Sequence, residues 1–168
     1  MNRRNFLGLG LGVAAVAAIP SQLSAIDFRA EKPEAWKIMN PFKKGTKGDL
    51  AGGVNDHSAI KKAIKDVFGT DTLDMSGVKL KSPAIAENGA VVPVSIETDK
   101  KATKVALLQN ANPEALVAVW TVHDGQPVDY SVRIKMQQTG DVVAVVEADG
   151  KLYAATSSTK VTAGGCGG

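Results

Sequence analysis

The 168-residue chain is 44% apolar but only 5% aromatic, enough for the core of one domain, and a second full domain is not expected. With so few rings, the core must draw on Val, Ala, Ile and Leu, and runs dominated by Val and Ile favour strands. Two of the 20 basic residues, Arg3 and Arg4, lie in a removable leader, and the others stand against 17 acidic side chains, a net of about +1 that excludes an electrostatic footprint for DNA or RNA.

Residues 1–25 read as a signal peptide. Arg3 and Arg4 precede an uninterrupted apolar run from Phe6 to Pro20, and Ser24-Ala25 offers small residues for cleavage. The run is shorter and richer in Gly and Ala than a membrane span of about 20 strongly apolar residues. Asn2-Arg3-Arg4-Asn5-Phe6-Leu7 is similar to a twin-arginine export signal, whose pathway carries folded proteins, although arginine pairs also occur in ordinary secretory leaders. No cofactor motif is visible, so assembly with a partner is the expected reason to fold before export.

Residues 26–54 are polar, basic and punctuated by Pro33, Pro41, Gly45, Gly48, Gly52 and Gly53, and are expected to form a loosely ordered arm. In residues 55–69, Ile60, Ala63, Ile64, Val67 and Phe68 recur at helical spacing, with Asn55 or Asp56 as N-cap and Gly69 as the stop, which predicts one amphipathic helix.

Over residues 70–161 the period changes. Short runs follow one another at Val78–Lys81, Val91–Glu97, Thr103–Asn110, Leu116–His123, Tyr130–Gln137, Val142–Ala148, Leu152–Thr156 and Lys160–Thr162, a spacing that predicts an antiparallel β-sandwich. Tyr130, Val132, Ile134 and Met136 alternate with polar neighbours as in a strand with one wet face. Asp124-Gly125 and Asp149-Gly150 are expected hairpin turns. Leu116–Val122 and Val142–Val146 are apolar on both faces, so something covers the sandwich there: a partner subunit, or the N-terminal helix and arm.

Residues 162–168 are expected to be a flexible tail. Gly164, Gly165, Gly167 and Gly168 flank Cys166, the only thiol, leaving its backbone free and its sulfur unshielded. A single cysteine in an exported chain is a reactive thiol or an intermolecular link. The glycines supply neither base nor positive field to lower a thiol pKa from about 8.5, so activation must come from whatever site the tail enters. Thr162 to Cys166 spans about 13 Å when extended, which suits a carrier whose cargo stays tethered near docked enzymes at an effective concentration of order mM. His57 and His123 lack ligand spacing to Cys166 or to each other and read as a helix-surface and a turn residue; no metal or other cofactor is expected.

The ending Val161-Thr162-Ala163-Gly164-Gly165-Cys166-Gly167-Gly168, preceded by Ala148-Asp149-Gly150-Lys151-Leu152-Tyr153 and by Asn112-Pro113 before a Val/Ala-rich strand, resembles the SoxY family, the sulfur-carrier subunits of the periplasmic thiosulfate-oxidising complex. The resemblance covers roughly residues 90–168, and the glycine-flanked cysteine is its most specific feature. It implies an immunoglobulin-like β-sandwich bound to a small SoxZ partner subunit, the pair being exported to the periplasm on this chain's signal. Cys166 would carry the cargo on a swinging arm of Gly164, Gly165, Gly167 and Gly168. A haem enzyme would couple thiosulfate to it, a manganese hydrolase would release sulfate, and a sulfane dehydrogenase could oxidise the sulfur left behind. The chain itself would catalyse nothing. The contrasting reading is a secreted immunoglobulin-like structural module that dimerises through Cys166. The basic arm has no counterpart in the resemblance.

Overall fold

The computed structural model describes residues 28–41 and 55–162, opening with one helical turn, α1 (Phe28–Glu31), and a 3-10 turn at Ala35–Lys37. The expectation of a loosely ordered arm needs correction for residues 28–41. Ala35 and Ile38 are buried, Arg29 sits 4.4 Å over the Trp36 ring, and Met39 bridges to Glu114. Two apolar anchors among charges and prolines carry no period, yet each removes apolar surface from water and fastens the segment. Residues 26–27 and 42–54 of the same stretch lie outside the described residues.

Ile60, Ala63, Ile64 and Val67 form the buried stripe of helix α2 (Ser58–Phe68). It stops at Gly69, whose φ of 81° a side chain would strain and whose N–H donates to the Lys65 carbonyl at 2.8 Å. The N-cap is His57, not Asn55 or Asp56, and its side chain makes no capping bond; the Asp56 carboxylate, one residue further out, accepts the N–H of Ser58, the first helical residue, at 2.9 Å.

Nine strands follow: β1 (Leu73–Asp74), β2 (Lys79–Lys81), β3 (Ile85–Ala86), β4 (Val92–Thr98), β5 (Ala102–Gln109), β6 (Leu116–Thr121), β7 (Val128–Ile134), β8 (Gly140–Ala148) and β9 (Lys151–Val161). The larger sheet has the order β1-β9-β8-β5-β6, with β3 also against β9; the smaller has the order β2-β4-β7. Their packing makes an immunoglobulin-like β-sandwich, as the sequence led us to expect. The last two expected runs are one strand of 11 residues, since the Ser/Thr stretch between them stays on the β8 ladder through Thr159.

Asp149-Gly150 does close a hairpin, Ala148 pairing with Lys151, with φ of 52° and 70° at the two turn residues. Asp124-Gly125 does not. It lies between β6 in the large sheet and β7 in the small one, so the turn carries the chain from one layer to the other.

Strand β8 answers the question of the doubly apolar runs. Val142, Ala144 and Val146 face the sandwich interior with Val92, Val94 and Ile96, while Val143 and Val145 lie under Ile60, Ile64 and Val67 of α2. The cover is the chain's own helix, joined by Ala35 and Ile38. Each fully buried valine stabilises the fold by about 1.5–3 kcal/mol, so this strand alone explains much of the fixed register. At the edge, Val117 to Trp120 of β6 are half-buried.

Candidate functional site

The carrier residues Gly164, Gly165, Cys166, Gly167 and Gly168, and the export residues Arg3 and Arg4, all lie outside the described residues. The structure does place Thr162, four residues before the cysteine, and shows how the last third of β9 is held.

Three consecutive amides at the end of β9 are engaged in turn. Lys160 donates to the Ala84 carbonyl at 2.9 Å, Val161 to Thr139 Oγ1 at 3.0 Å, and Thr162 to the Ala86 carbonyl at 3.1 Å. The outer two belong to the parallel pairing of β3 with β9, Ile85 opposite Lys160 and Ala86 opposite Val161. A parallel pair of two residues is weak by itself, so side chains supplement it. Ser82 Oγ lies 2.8 Å from both Ser157 Oγ and Thr159 Oγ1, and Thr159 is wholly buried.

On the helix side of the same strand, Ser158 Oγ donates to Asp141 Oδ1, and Asp141 Oδ2 lies 2.7 Å from His57 Nε2. The Asp141 backbone N–H donates to Asn110 Oδ1 at 2.7 Å, and Asn110 Nδ2 donates to the Asp56 carbonyl at 3.3 Å. The approach demands a glycine next door: a Cβ on Gly140 would lie 2.6 Å from Asn110 Oδ1 and 2.9 Å from the Ala111 Cβ. His57 is therefore not the plain helix-surface residue expected; it stands just before α2 and ties the helix to β8.

The order of this chain matters chemically. The carboxylate sits between serine and histidine, so the imidazole is not bonded to the hydroxyl and cannot take its proton directly, as a nucleophile–base pair requires. The arrangement acts as a strut that fixes β9 four residues before Thr162. It was hidden in the sequence because His57, Asp141 and Ser158 are far apart in the chain; the one available signal was an aspartate leading an otherwise apolar run.

Elsewhere, Asp56 is held below the usual carboxylate range by the Ser58 hydroxyl and then by the Ser58 N–H. His123 is exposed on the link between β6 and β7. Among the described residues, no group of three His, Cys, Asp or Glu could hold a metal ion, and no helix is long and apolar enough to cross a membrane.

Comparison with known proteins adds what geometry cannot. The sulfur carrier protein SoxY from Chlorobium limicola f thiosulfatophilum is 38% identical, with a TM-score of 0.59 over 64% of this chain and 99% of that one. A superoxide reductase (neelaredoxin) from Ignicoccus hospitalis reaches 13% identity and a TM-score of 0.46 over 51% of this chain and 80% of that one, too little to carry an argument. No curated protein sequence matches. The family model described as "Sulfur oxidation protein SoxY" matches residues 64–166, from the middle of α2 to the cysteine beyond β9. On the strength of that span and of a 38% identical relative matched over nearly its whole length, the chain belongs to the SoxY family of sulfur oxidation proteins.

Proposed function

We propose that this chain is a covalent carrier of sulfur intermediates in thiosulfate oxidation, holding them on Cys166 and presenting them to partner enzymes. The observation that carries the reading is positional. Strand pairing runs through Val161, Thr162 is fastened to β3, and after Ala163 come Gly164, Gly165 and Cys166, where the family match ends, and then Gly167 and Gly168. A rigid root with a side-chain-free continuation lets the sulfur travel about 13 Å from Thr162 while the body stays docked.

In this reading the body catalyses nothing, and the chemistry belongs to a haem enzyme that couples thiosulfate, a manganese hydrolase that releases sulfate, and a sulfane dehydrogenase. A SoxZ-like subunit is the constant partner. The twin arginines Arg3 and Arg4 export the folded pair to the periplasm.

The test is mass spectrometry of the intact protein and its C-terminal peptide, isolated from the native host without reductant and again after reduction. Sulfane, thiosulfonate or polysulfide adducts on Cys166 that reduction removes are the expected result. A uniform disulfide-linked dimer without adduct would instead make the chain a structural module.

A further inference from the structure

Strands β6 and β7 are outer strands of the large and small sheets, and the rings of Trp120 and Tyr130 meet across them with centroids 5.2 Å apart. Further along, between the start of β6 and the end of β7, lies a hollow of about 320 Å³. Leu116 and Val117 line it from β6, Ile134 from β7, and Trp36 from the N-terminal segment. Its frame is fastened without any ligand. Asn112 Nδ2 donates to the Lys135 carbonyl at 2.8 Å, the Gln109 N–H to the Ala115 carbonyl at 2.8 Å, and the Ala115 N–H to the Ile38 carbonyl at 3.1 Å.

One polar group in this wall lacks its bond. Gln109 is only 4% exposed, and its side-chain Oε1 accepts no hydrogen bond. Buried amides are nearly always paired, because an unmet one loses its hydration without compensation. A side-chain amide facing a cavity asks for a donor at its oxygen and an acceptor at its nitrogen.

The charged groups around the hollow are of both signs. Arg29, which stands 4.4 Å over the Trp36 ring, Arg133 and Lys135 are cationic, and Glu114 is the one carboxylate among the described residues that line it. All four are exposed, and the side chains of Arg133, Lys135 and Glu114 have no hydrogen-bond or ion-pair partner among the described residues. A plain oxyanion would answer the cations but face Gln109 Oε1 and Glu114 with more negative charge. A plain ammonium would do the reverse. A molecule with an ammonium and a carboxylate on neighbouring atoms answers both sets, and three cations against one carboxylate leave room for a second acid group.

We propose that this hollow binds a free acidic α-amino acid. Its ammonium lies between Gln109 Oε1 and the Glu114 carboxylate, and its two acid groups turn toward Arg133, Lys135 and Arg29. Leu116, Val117 and Ile134 cover its methylene chain, the usual division between an apolar lining and a few placed polar groups. Cys166 takes no part, so the inference stands apart from the carrier reading.

The experiment titrates L-glutamate into the full chain under reducing conditions, followed by calorimetry and by the side-chain NH2 resonances of Gln109. Saturable binding that moves those resonances is expected, with affinity about tenfold or more weaker in Gln109→Leu, the loss that a hydrogen bond to a charged group supports. Glu114 is exposed, so Glu114→Gln keeps the fold whatever Gln109→Leu does to it, and should weaken binding about two- to fivefold. Absence of saturable binding overturns the proposal. Binding that leaves the Gln109 resonances unmoved overturns it too, since the ligand then sits elsewhere. Glutarate, which lacks the ammonium, or sulfate binding as tightly as glutamate would show that the site reads negative charge alone, and would overturn it as well.

Discussion

The two ends of strand β9 are held by different physics. At its start, the left-handed Asp149-Gly150 turn fixes the register with β8, and Leu152 and Ala154 are buried with the α2 stripe. At its end, the β8 ladder finishes at Gly140 opposite Thr159, and polar contacts take over: Ser82, Thr139, the two residues of β3, and the Asp141–Ser158 pair backed by His57. Burial secures the first end against any one substitution of a polar group. The second end can be loosened one hydrogen bond at a time while the core stays intact, since a typical hydrogen bond contributes only about 0.5–1.5 kcal/mol net.

The sharpest test of that division separates chemistry from fold. Cys166→Ser should abolish carried sulfur and all turnover with the partner enzymes, with the thermal midpoint unchanged; residual adduct at another residue would contradict it. The opposite case is Leu108→Ala. Leu108 is wholly buried beneath α2, so truncation should cost about 2–5 kcal/mol in denaturant titration, while alkylation of Cys166 in native buffer proceeds as before. Gly140→Ala should fall between these in effect, about 1–3 kcal/mol, because its Cβ meets Asn110 and Ala111 at the end that supports the tail root. A variant as stable as the parent would show that Asn110 yields at no cost.

What could be read from the sequence follows the same line. Long periodic signals were legible: the Ile60-to-Val67 stripe of α2 and the doubly apolar β8 appear where they were expected, and the expected alternation holds from Tyr130 to Ile134, although β7 begins two residues earlier, at Val128, and ends before Met136. The two-residue strands β1 and β3 were not, since two residues have no period and owe their pairing to β9. Asp124-Gly125 is a sound turn signal, but a turn dipeptide does not say whether the next strand returns to the same sheet. At the site, Cys166 stood out through its glycine context alone. The His57–Asp141–Ser158 strut arises from cross-strand neighbours, and register is invisible before the sheets are assembled.

A smaller effect is expected from the tail. Replacing Gly164 and Gly165 by Val or Pro restricts φ and ψ just beyond the fastened Thr162, so delivery to full partner enzymes should slow without a change in stability. Turnover equal to that of the parent would remove the need for a side-chain-free arm.

The smallest effect concerns Asp56, which joins both systems: its carboxylate accepts the Ser58 N–H at the start of α2, and its carbonyl accepts from Asn110, the residue that holds Asp141. The Ser58 hydroxyl and N–H stabilise the ionised carboxylate, so its pKa in the folded state lies below the unfolded value of about 3.9. A depressed carboxylate contributes stability that is fully present above the unfolded value and is lost as pH falls through the folded one. Asp56→Asn keeps an oxygen acceptor but no charge. Thermal midpoints of parent and variant should therefore differ most near neutral pH, the parent being the more stable, and the gap should shrink as acid protonates Asp56. A gap that widens toward acid would mean that the Ser58 contacts favour the neutral form, and that α2 is anchored from the Asn110 side alone.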